Sequence, residues 1–73
     1  MQDVDLIRMI NQIAVFFDSY PSGQAVTETA NHLKKFWDPR MRRQICDYVR
    51  ANGADLSPTA RAAVDRLLNV YQS

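Results

Sequence analysis

His32 is the only histidine of the chain and therefore the first candidate for acid–base chemistry. Glu28 precedes it by four residues, a spacing that brings two side chains together on one face of a helix. Catalysis would also need a nucleophile or a bound substrate held within reach of the ring, and the sequence supplies no such residue beside this pair. We therefore expect Glu28 and His32 to form a surface or half-buried ion pair, with contact to a partner as the alternative role.

Cys46 is the only cysteine, so the chain forms no internal disulfide. Arg42, Arg43 and Arg50 lie three or four residues away on the same predicted helix, and their charge would lower the pKa of the thiol. A reactive thiolate must also be exposed, whereas a free cysteine more often packs as a small apolar side chain. We expect an inert, buried Cys46.

The remaining residues supply no catalytic or metal-binding set. The eight acidic residues are scattered, and no two form a spaced pair on one helix face. The two glycines are too few for a phosphate-binding loop. One cysteine and one histidine are too few for a zinc or iron–sulfur site. We therefore expect no catalysis by this chain alone.

A basic block is the most informative charge feature. Residues 34–50 carry six basic side chains against two acids. Arg40, Arg42 and Arg43 fall in the first turns of a predicted helix, where a cation costs up to about 1 kcal/mol against the helix dipole. An anionic counterpart would offset this cost. It is either external (an acidic protein surface, a nucleic acid or cofactor phosphates) or internal, from the acids Asp3, Asp5 and Asp18.

Helices must position these residues. Apolar residues recur at helical spacing in four segments, and no segment shows the alternation of a strand. The predicted helices span roughly 3–20, 23–37, 39–52 and from 58 onward. Asp38-Pro39 and Ser57-Pro58 are strong helix starts, and Asn52-Gly53 is a helix stop. The sequence predicts an all-α fold, a small bundle or orthogonal array of three to four helices, as one domain over residues 1–73.

Composition narrows the function classes. The chain has 73 residues, of which 47% are hydrophobic and 23% charged, as in a globular domain. Its longest apolar run has five residues, 13–17, whereas a membrane span needs about 20. The acidic N-terminus lacks the character of a signal peptide. We expect a soluble chain of a reducing compartment. The net charge of +1 argues against a dedicated nucleic-acid binder.

The string Phe36-Trp37-Asp38-Pro39-Arg40-Met41-Arg42 is a specific motif within the basic block. Through this string the chain resembles the delta subunit of NAD-dependent, molybdenum-containing formate dehydrogenase. Asn11-Gln12-Ile13, Phe16-Phe17, Pro21 and His32 support it, and Leu56-Ser57-Pro58 carries it weakly into the last third of the chain.

The resemblance implies a soluble, cytoplasmic bacterial complex that oxidises formate and passes the electrons to NAD. In that family the large (alpha) subunit carries molybdenum held by two pyranopterin guanine dinucleotides, together with iron–sulfur clusters. Other subunits carry further clusters, FMN and the NAD site. The delta chain is expected to be noncatalytic and to hold no cofactor.

The leading hypothesis is therefore an accessory subunit that docks on the large subunit and stabilises it or helps assemble it, with the beta and gamma subunits as further candidate partners. The predicted contact residues are Phe36, Trp37, Arg40, Met41, Arg42 and Arg43, with His32, Asn11 and Gln12 in second rank. Asn11 and Gln12 have an alternative structural role, hydrogen bonding to the backbone of the Asp38-Pro39 turn.

Two other hypotheses stay open at this stage. The chain could be a transient assembly or cofactor-insertion factor for the same enzyme, its arginines meeting cofactor phosphates. It could also be a small helical nucleic-acid binder that reads with its third helix. The near-zero net charge and the two acids on that helix, Asp38 and Asp47, argue against this last class.

Overall fold

The computed structural model describes residues 2–72, except the side chains of residues 22 and 70–72. Within this range the chain forms four helices and no strand: α1 (Asp3–Phe17), α2 (Ser22–Phe36), α3 (Pro39–Ala51) and α4 (Pro58–Gln72). The prediction of a small all-α fold with three to four helices is confirmed. The described part of the chain contains no helix with the length and apolar character needed to cross a bilayer.

Local signals start α3 and α4 where the sequence predicts. The Asp38 carboxylate accepts a hydrogen bond from the Met41 amide at 2.9 Å, and Pro39 occupies the first helical position. The Ser57 hydroxyl accepts from the Ala60 amide at 3.1 Å. Both caps satisfy amides that the first helical turn leaves without an intrahelical partner.

The loop after α3 depends on a glycine. The amides of Asn52 and Gly53 both donate to the Tyr48 carbonyl at 3.0 Å, which ends the helix. Gly53 has φ +70°, a left-handed conformation that disfavours side chains. A Cβ at this position would lie 2.8 Å from the Arg61 guanidinium. Glycine is therefore required here by its backbone conformation, because the exposed Arg61 side chain could move aside to make room for a Cβ.

The first two helices differ slightly from their predicted bounds. α1 ends at Phe17 rather than near Tyr20, because the chain tightens into a turn in which the Tyr20 amide donates to the Phe17 carbonyl at 2.9 Å. This turn leads into Pro21. α2 then begins at Ser22, one residue earlier than predicted, and ends at Phe36, with Trp37 as its C-cap.

All four helices contribute to one core. α1 packs against the other three helices, and α4 also packs against α2 and α3. The fully buried aliphatic side chains come from every helix, among them Leu6, Ile10, Leu33, Ile45 and Leu67. The large apolar side chains that remain exposed lie on α1, on α2 and in the turn between them.

Candidate docking surface

An apolar groove runs between α1 and α2 and is closed at one end by the start of α3. Its volume is about 540 Å³. The α1 side presents a stripe at helical spacing, and the α2 side presents residues one turn apart. The lining residues are Met9, Gln12, Ile13, Phe16, Phe17, His32, Phe36, Trp37 and Met41. The groove therefore unites five of the nine predicted contact residues: Gln12, His32, Phe36, Trp37 and Met41.

Aromatic rings join the two sides of the groove. The Phe17 ring centroid lies 4.9 Å from that of Phe16 and 6.4 Å from that of His32, both in edge-on geometry. His32 in turn lies 4.7 Å from Phe36. Such ring pairs are favourable beyond their buried area, so they hold the two helix edges in a defined arrangement.

His32 does not form the predicted ion pair. No salt bridge joins Glu28 and His32, although both side chains lie in the described part of the chain. The prediction was wrong because the groove edge of α2 is aromatic, and the half-buried His32 ring packs against Phe36 there. The ring is thereby a wall of the groove.

Two large apolar side chains of the groove face solvent. Phe16 is 67% exposed and Phe36 is 71% exposed. Full burial of a phenylalanine is worth about 1.5–3 kcal/mol relative to exposure, and most of that gain is not realised at either residue. Contiguous exposed apolar surface of this kind is typical of interaction sites. The groove is thus a surface suited to a protein partner.

Trp37 belongs to the core more than to the surface. It is 4% exposed and packs with the buried side chains of the other helices, although it also contributes to the lining of the groove. Its neighbour Phe36 points outward. Substitution of Trp37 would therefore disturb the fold as well as any contact.

Arg42 is held by the carboxyl end of α2. Its guanidinium donates to the carbonyls of Leu33 at 3.4 Å and Lys34 at 3.3 Å, and also to the carbonyl of Trp37. The last carbonyls of a helix carry the negative end of its dipole. They supply an internal counterpart for Arg42, which thereby joins α2 to α3.

The acids proposed as internal counterparts face other groups. Asp5 pairs with Arg8 at 3.1 Å. Asp3 accepts from the Gln44 amide at 2.8 Å. Asp18 accepts from the Thr59 hydroxyl at 2.6 Å.

Arg40 and Arg43 are both exposed. Neither has a carboxylate of the described residues within 4.0 Å. Two cations at the start of α3 are thus left with no acidic partner among those residues.

A second, smaller depression on α3 has a volume of about 360 Å³. Its residues are Pro39, Arg42, Arg43, Cys46, Asp47 and Arg50. Cys46 is buried, as predicted. Burial raises the pKa of its thiol, and this effect outweighs the lowering of the pKa by Arg50 and Arg42. The thiol is therefore poorly suited to nucleophilic chemistry.

Asn11 and Gln12 have different environments. The Asn11 amide nitrogen donates to the Asp55 carbonyl at 2.8 Å, and its oxygen accepts from the Ser57 amide at 2.9 Å. The prediction that Asn11 forms hydrogen bonds with the backbone of the Asp38-Pro39 turn was wrong. Asn11 lies against the loop between α3 and α4 instead. Asn11 therefore has a structural role, whereas the exposed Gln12 lines the groove.

Four groove residues on α1 were not predicted as contacts: Met9, Ile13, Phe16 and Phe17. They belong to a wide apolar face of α1 that is visible in the sequence as apolar residues at helical spacing. The width of that face was the available signal, because one helix buries only part of such a face against its neighbours. The structure buries Leu6, Ile10 and Ala14 and leaves the adjoining side to the groove.

The candidate surface lacks the donors of a metal site. No group of three or more His, Cys, Asp or Glu side chains suited to a metal ion occurs among the described residues. The chemistry of the groove and of α3 is that of apolar contact and positive charge.

Comparison with known proteins identifies one family. Residues 5–64 of the 73 match the family model described as "NADH-dependant formate dehydrogenase delta subunit FdsD". The match extends from α1 into α4 and includes every residue of the groove and the start of α3. Neither the curated proteins nor the solved structures gave a match.

Proposed function

The chain belongs to the FdsD family of NADH-dependent formate dehydrogenase delta subunits, and we propose that it is a noncatalytic accessory subunit that docks on the large, molybdenum-containing subunit of such a complex. The observation that carries the proposal is the pair of exposed phenylalanines, Phe16 and Phe36, on facing sides of one apolar groove. A delta subunit must contact another subunit, and this groove is the apolar surface best suited to that contact.

Charge supports a contact that extends from the groove onto α3. Arg40 and Arg43 are exposed beside Met41 and have no carboxylate partner among the described residues. Both lie near the positive end of the α3 dipole, where a negative group on a partner would be favoured. Arginine is also enriched among the residues that dominate binding energy at interfaces. We propose that the facing surface of the large subunit is acidic.

Docking would stabilise both partners. A domain of this size gains only about 3–5 kcal/mol from its core, and a partner that binds only the folded form adds to that stability. The same contact would hold a surface of the large subunit in its assembled form. We propose that the beta and gamma subunits are further neighbours and that the complex works in the cytoplasm.

The redox chemistry is proposed to occur on the other subunits. We assign the molybdenum bis-pyranopterin guanine dinucleotide, the iron–sulfur clusters, FMN and the NAD site to them, and none to this chain. The groove offers apolar side chains, one amide and one imidazole, and it has neither the charge nor the ligand set that these groups need.

Co-purification with matched variants tests the proposal. The tagged chain is purified from cells that produce the complex, and the large subunit recovered with it is quantified by mass spectrometry. Phe16→Ser combined with Phe36→Ser is expected to lower that recovery at least tenfold, about 1.4 kcal/mol in binding free energy. The helical circular dichroism of the chain should stay unchanged, because both side chains are mostly exposed.

The matched control is Val15→Ser. Val15 lies on the same helix as Phe16 and is also 67% exposed, but it does not line the groove. The amount of large subunit recovered with the Val15→Ser chain should equal that recovered with the wild type. Equal losses for Val15→Ser and the groove variant, or full recovery with the groove variant, would contradict docking through the groove.

A further inference from the structure

The groove has the dimensions of two helical turns. Its α1 side runs from Met9 to Phe17, eight residues apart, which corresponds to about 12 Å along a helix axis. His32 and Phe36 form the facing side, and Trp37 and Met41 close one end. A partner helix presenting apolar residues at positions i, i+3 or i+4, and i+7 fits this length.

The walls favour a helix over an added β-strand. A ligand bound as a β-strand needs backbone donors and acceptors from a sheet edge, and the described residues contain no strand. The amides and carbonyls within α1 and α2 already pair along their own helices. A bound helix likewise forms its backbone hydrogen bonds internally. It therefore needs only apolar contact from the groove, which these side chains supply.

The residues that flank the groove differ in charge between its two ends. Lys35 and Arg40 are exposed and lie outside the lining itself, but Lys35 is one helical turn after His32 and Arg40 adjoins Met41 in the chain. Glu28 precedes His32 by one helical turn and therefore lies toward the other end. The end closed by Met41 is thus basic. A ligand with acidic side chains at that end would be complementary to it.

A second copy of the chain matches this rim poorly. Residues 34–50 carry six basic side chains against two acids. A contact of this face with the same face of another copy would bring two such blocks together, and like charges across an interface are unfavourable. The charge pattern therefore favours a different chain as the occupant.

We infer that the groove binds about two turns of an amphipathic helix from a partner subunit, with acidic side chains at the end that lies over Lys35 and Arg40. This inference rests on the proposed docking function and specifies the partner's chemistry. The apolar anchors of the helix would cover Phe16 and Phe36, the two side chains that the free chain leaves in water.

Photo-crosslinking in the assembled complex identifies the occupant. Phe36 is replaced by the photoreactive analogue benzoylphenylalanine, and the same analogue at Asp65, exposed on α4, is the control. The expected product joins Phe36 to a peptide of another subunit that has apolar residues at helical spacing over two turns and an Asp or Glu at one end. The Asp65 position should not give that product. A product with a second copy of this chain, or with a peptide lacking this pattern, would overturn the inference.

Charge reversal tests the orientation of the helix. Lys35→Glu is expected to lower the yield of the Phe36 cross-link about fivefold, since it replaces an attraction at the rim by a repulsion. Conversion of the partner's acidic residue to lysine should then restore the yield. Lys34→Glu is the matched control, because it makes the same charge change at an exposed residue on another face of α2. Lys34 is two residues from both His32 and Phe36 and so faces away from them, whereas Lys35 is three residues after His32 and shares its side of the helix. Equal effects of the two variants would refute the proposed orientation.

The two proposals fail in different ways. Recovery of the large subunit with the tagged chain, but without a cross-link from Phe36 to any partner peptide, would refute the groove as the helix site and leave the docking function standing. Absence of the large subunit from the purified material would refute the docking function and, with it, this inference.

Discussion

Asn11→Ala is the substitution that best separates a structural role from a contact role. Asn11 lies on α1 but holds the loop between α3 and α4 through two hydrogen bonds, to the Asp55 carbonyl and the Ser57 amide. Asp55 has φ +68°, an uncommon conformation for a residue other than glycine. Ser57 is the cap of α4. One side chain thus fixes both a strained turn and a helix start.

The magnitude follows from these contacts. A hydrogen bond contributes about 0.5–1.5 kcal/mol net, so the loss of both amounts to about 1–3 kcal/mol. The whole domain has about 3–5 kcal/mol from its core, which makes this a large fraction of its stability. For a domain of this size, 1 kcal/mol shifts the Tm by about 4–8 °C, and we expect Asn11→Ala to lower the Tm by about 10 °C.

Thermal unfolding and urea unfolding of the free chain, both followed by circular dichroism, measure the Tm and the free energy of unfolding. Gln12→Ala is the neighbouring control: Gln12 is exposed, and its loss should change the free energy of unfolding by less than about 0.5 kcal/mol. Conversely, Gln12→Ala should weaken docking while Asn11→Ala, once folded, should not. Equal stability losses for the two variants would refute the assignment of Asn11 to the fold.

Three further predictions concern other contacts. Phe36→Ala should change the free energy of unfolding by less than about 1 kcal/mol, because the ring is mostly exposed. Leu33 is fully buried, so Leu33→Ala should lower the free energy of unfolding by about 2–5 kcal/mol. Urea titration compares the two variants, and equal losses would contradict the exposed position of Phe36. Arg42→Met keeps the side-chain stem but removes the hydrogen bonds to the end of α2, so thermal unfolding should show a loss of about 1–2 kcal/mol; an unchanged Tm would contradict the capping role. Burial raises the pKa of the Cys46 thiol above its ordinary value of 9.0, so the thiol ionises at a lower pH in the unfolded chain than in the folded one. The wild type should therefore lose stability relative to Cys46→Ala as pH rises above about 9. Parallel pH profiles of the free energy of unfolding for the two proteins would contradict the buried thiol.

Local signals explain how much of the fold could be predicted. A cap followed by proline at Asp38-Pro39 and Ser57-Pro58 defines a helix start within four residues, and Gly53 defines a stop through its own backbone conformation. These signals depend on neighbours in sequence, which is why the starts of α3 and α4 and the end of α3 agree with prediction. The predicted end of α1 was less accurate, because the turn before Pro21 forms in place of the last helical turn.

Contacts between distant residues could not be predicted. Asn11 meets residues 44 and 46 positions later, and no local pattern specifies that loop. Periodicity identified the apolar face of α1 but not which part of it a neighbouring helix covers, so Phe16 was not predicted as a contact residue. Arg42 was expected to need an acid, whereas the approach of α3 to the end of α2 supplies backbone carbonyls instead.

The most direct test of the central claim is the amount of this chain in the mature enzyme. The complex is purified through a tag on its large subunit, selected for formate-dependent reduction of NAD, and its subunits are quantified by mass spectrometry. We predict near-equal molar amounts of the large subunit and this chain, and loss of the chain when Phe16 and Phe36 are both changed to serine. A fully active complex that lacks the chain would contradict a resident subunit and favour a transient assembly factor.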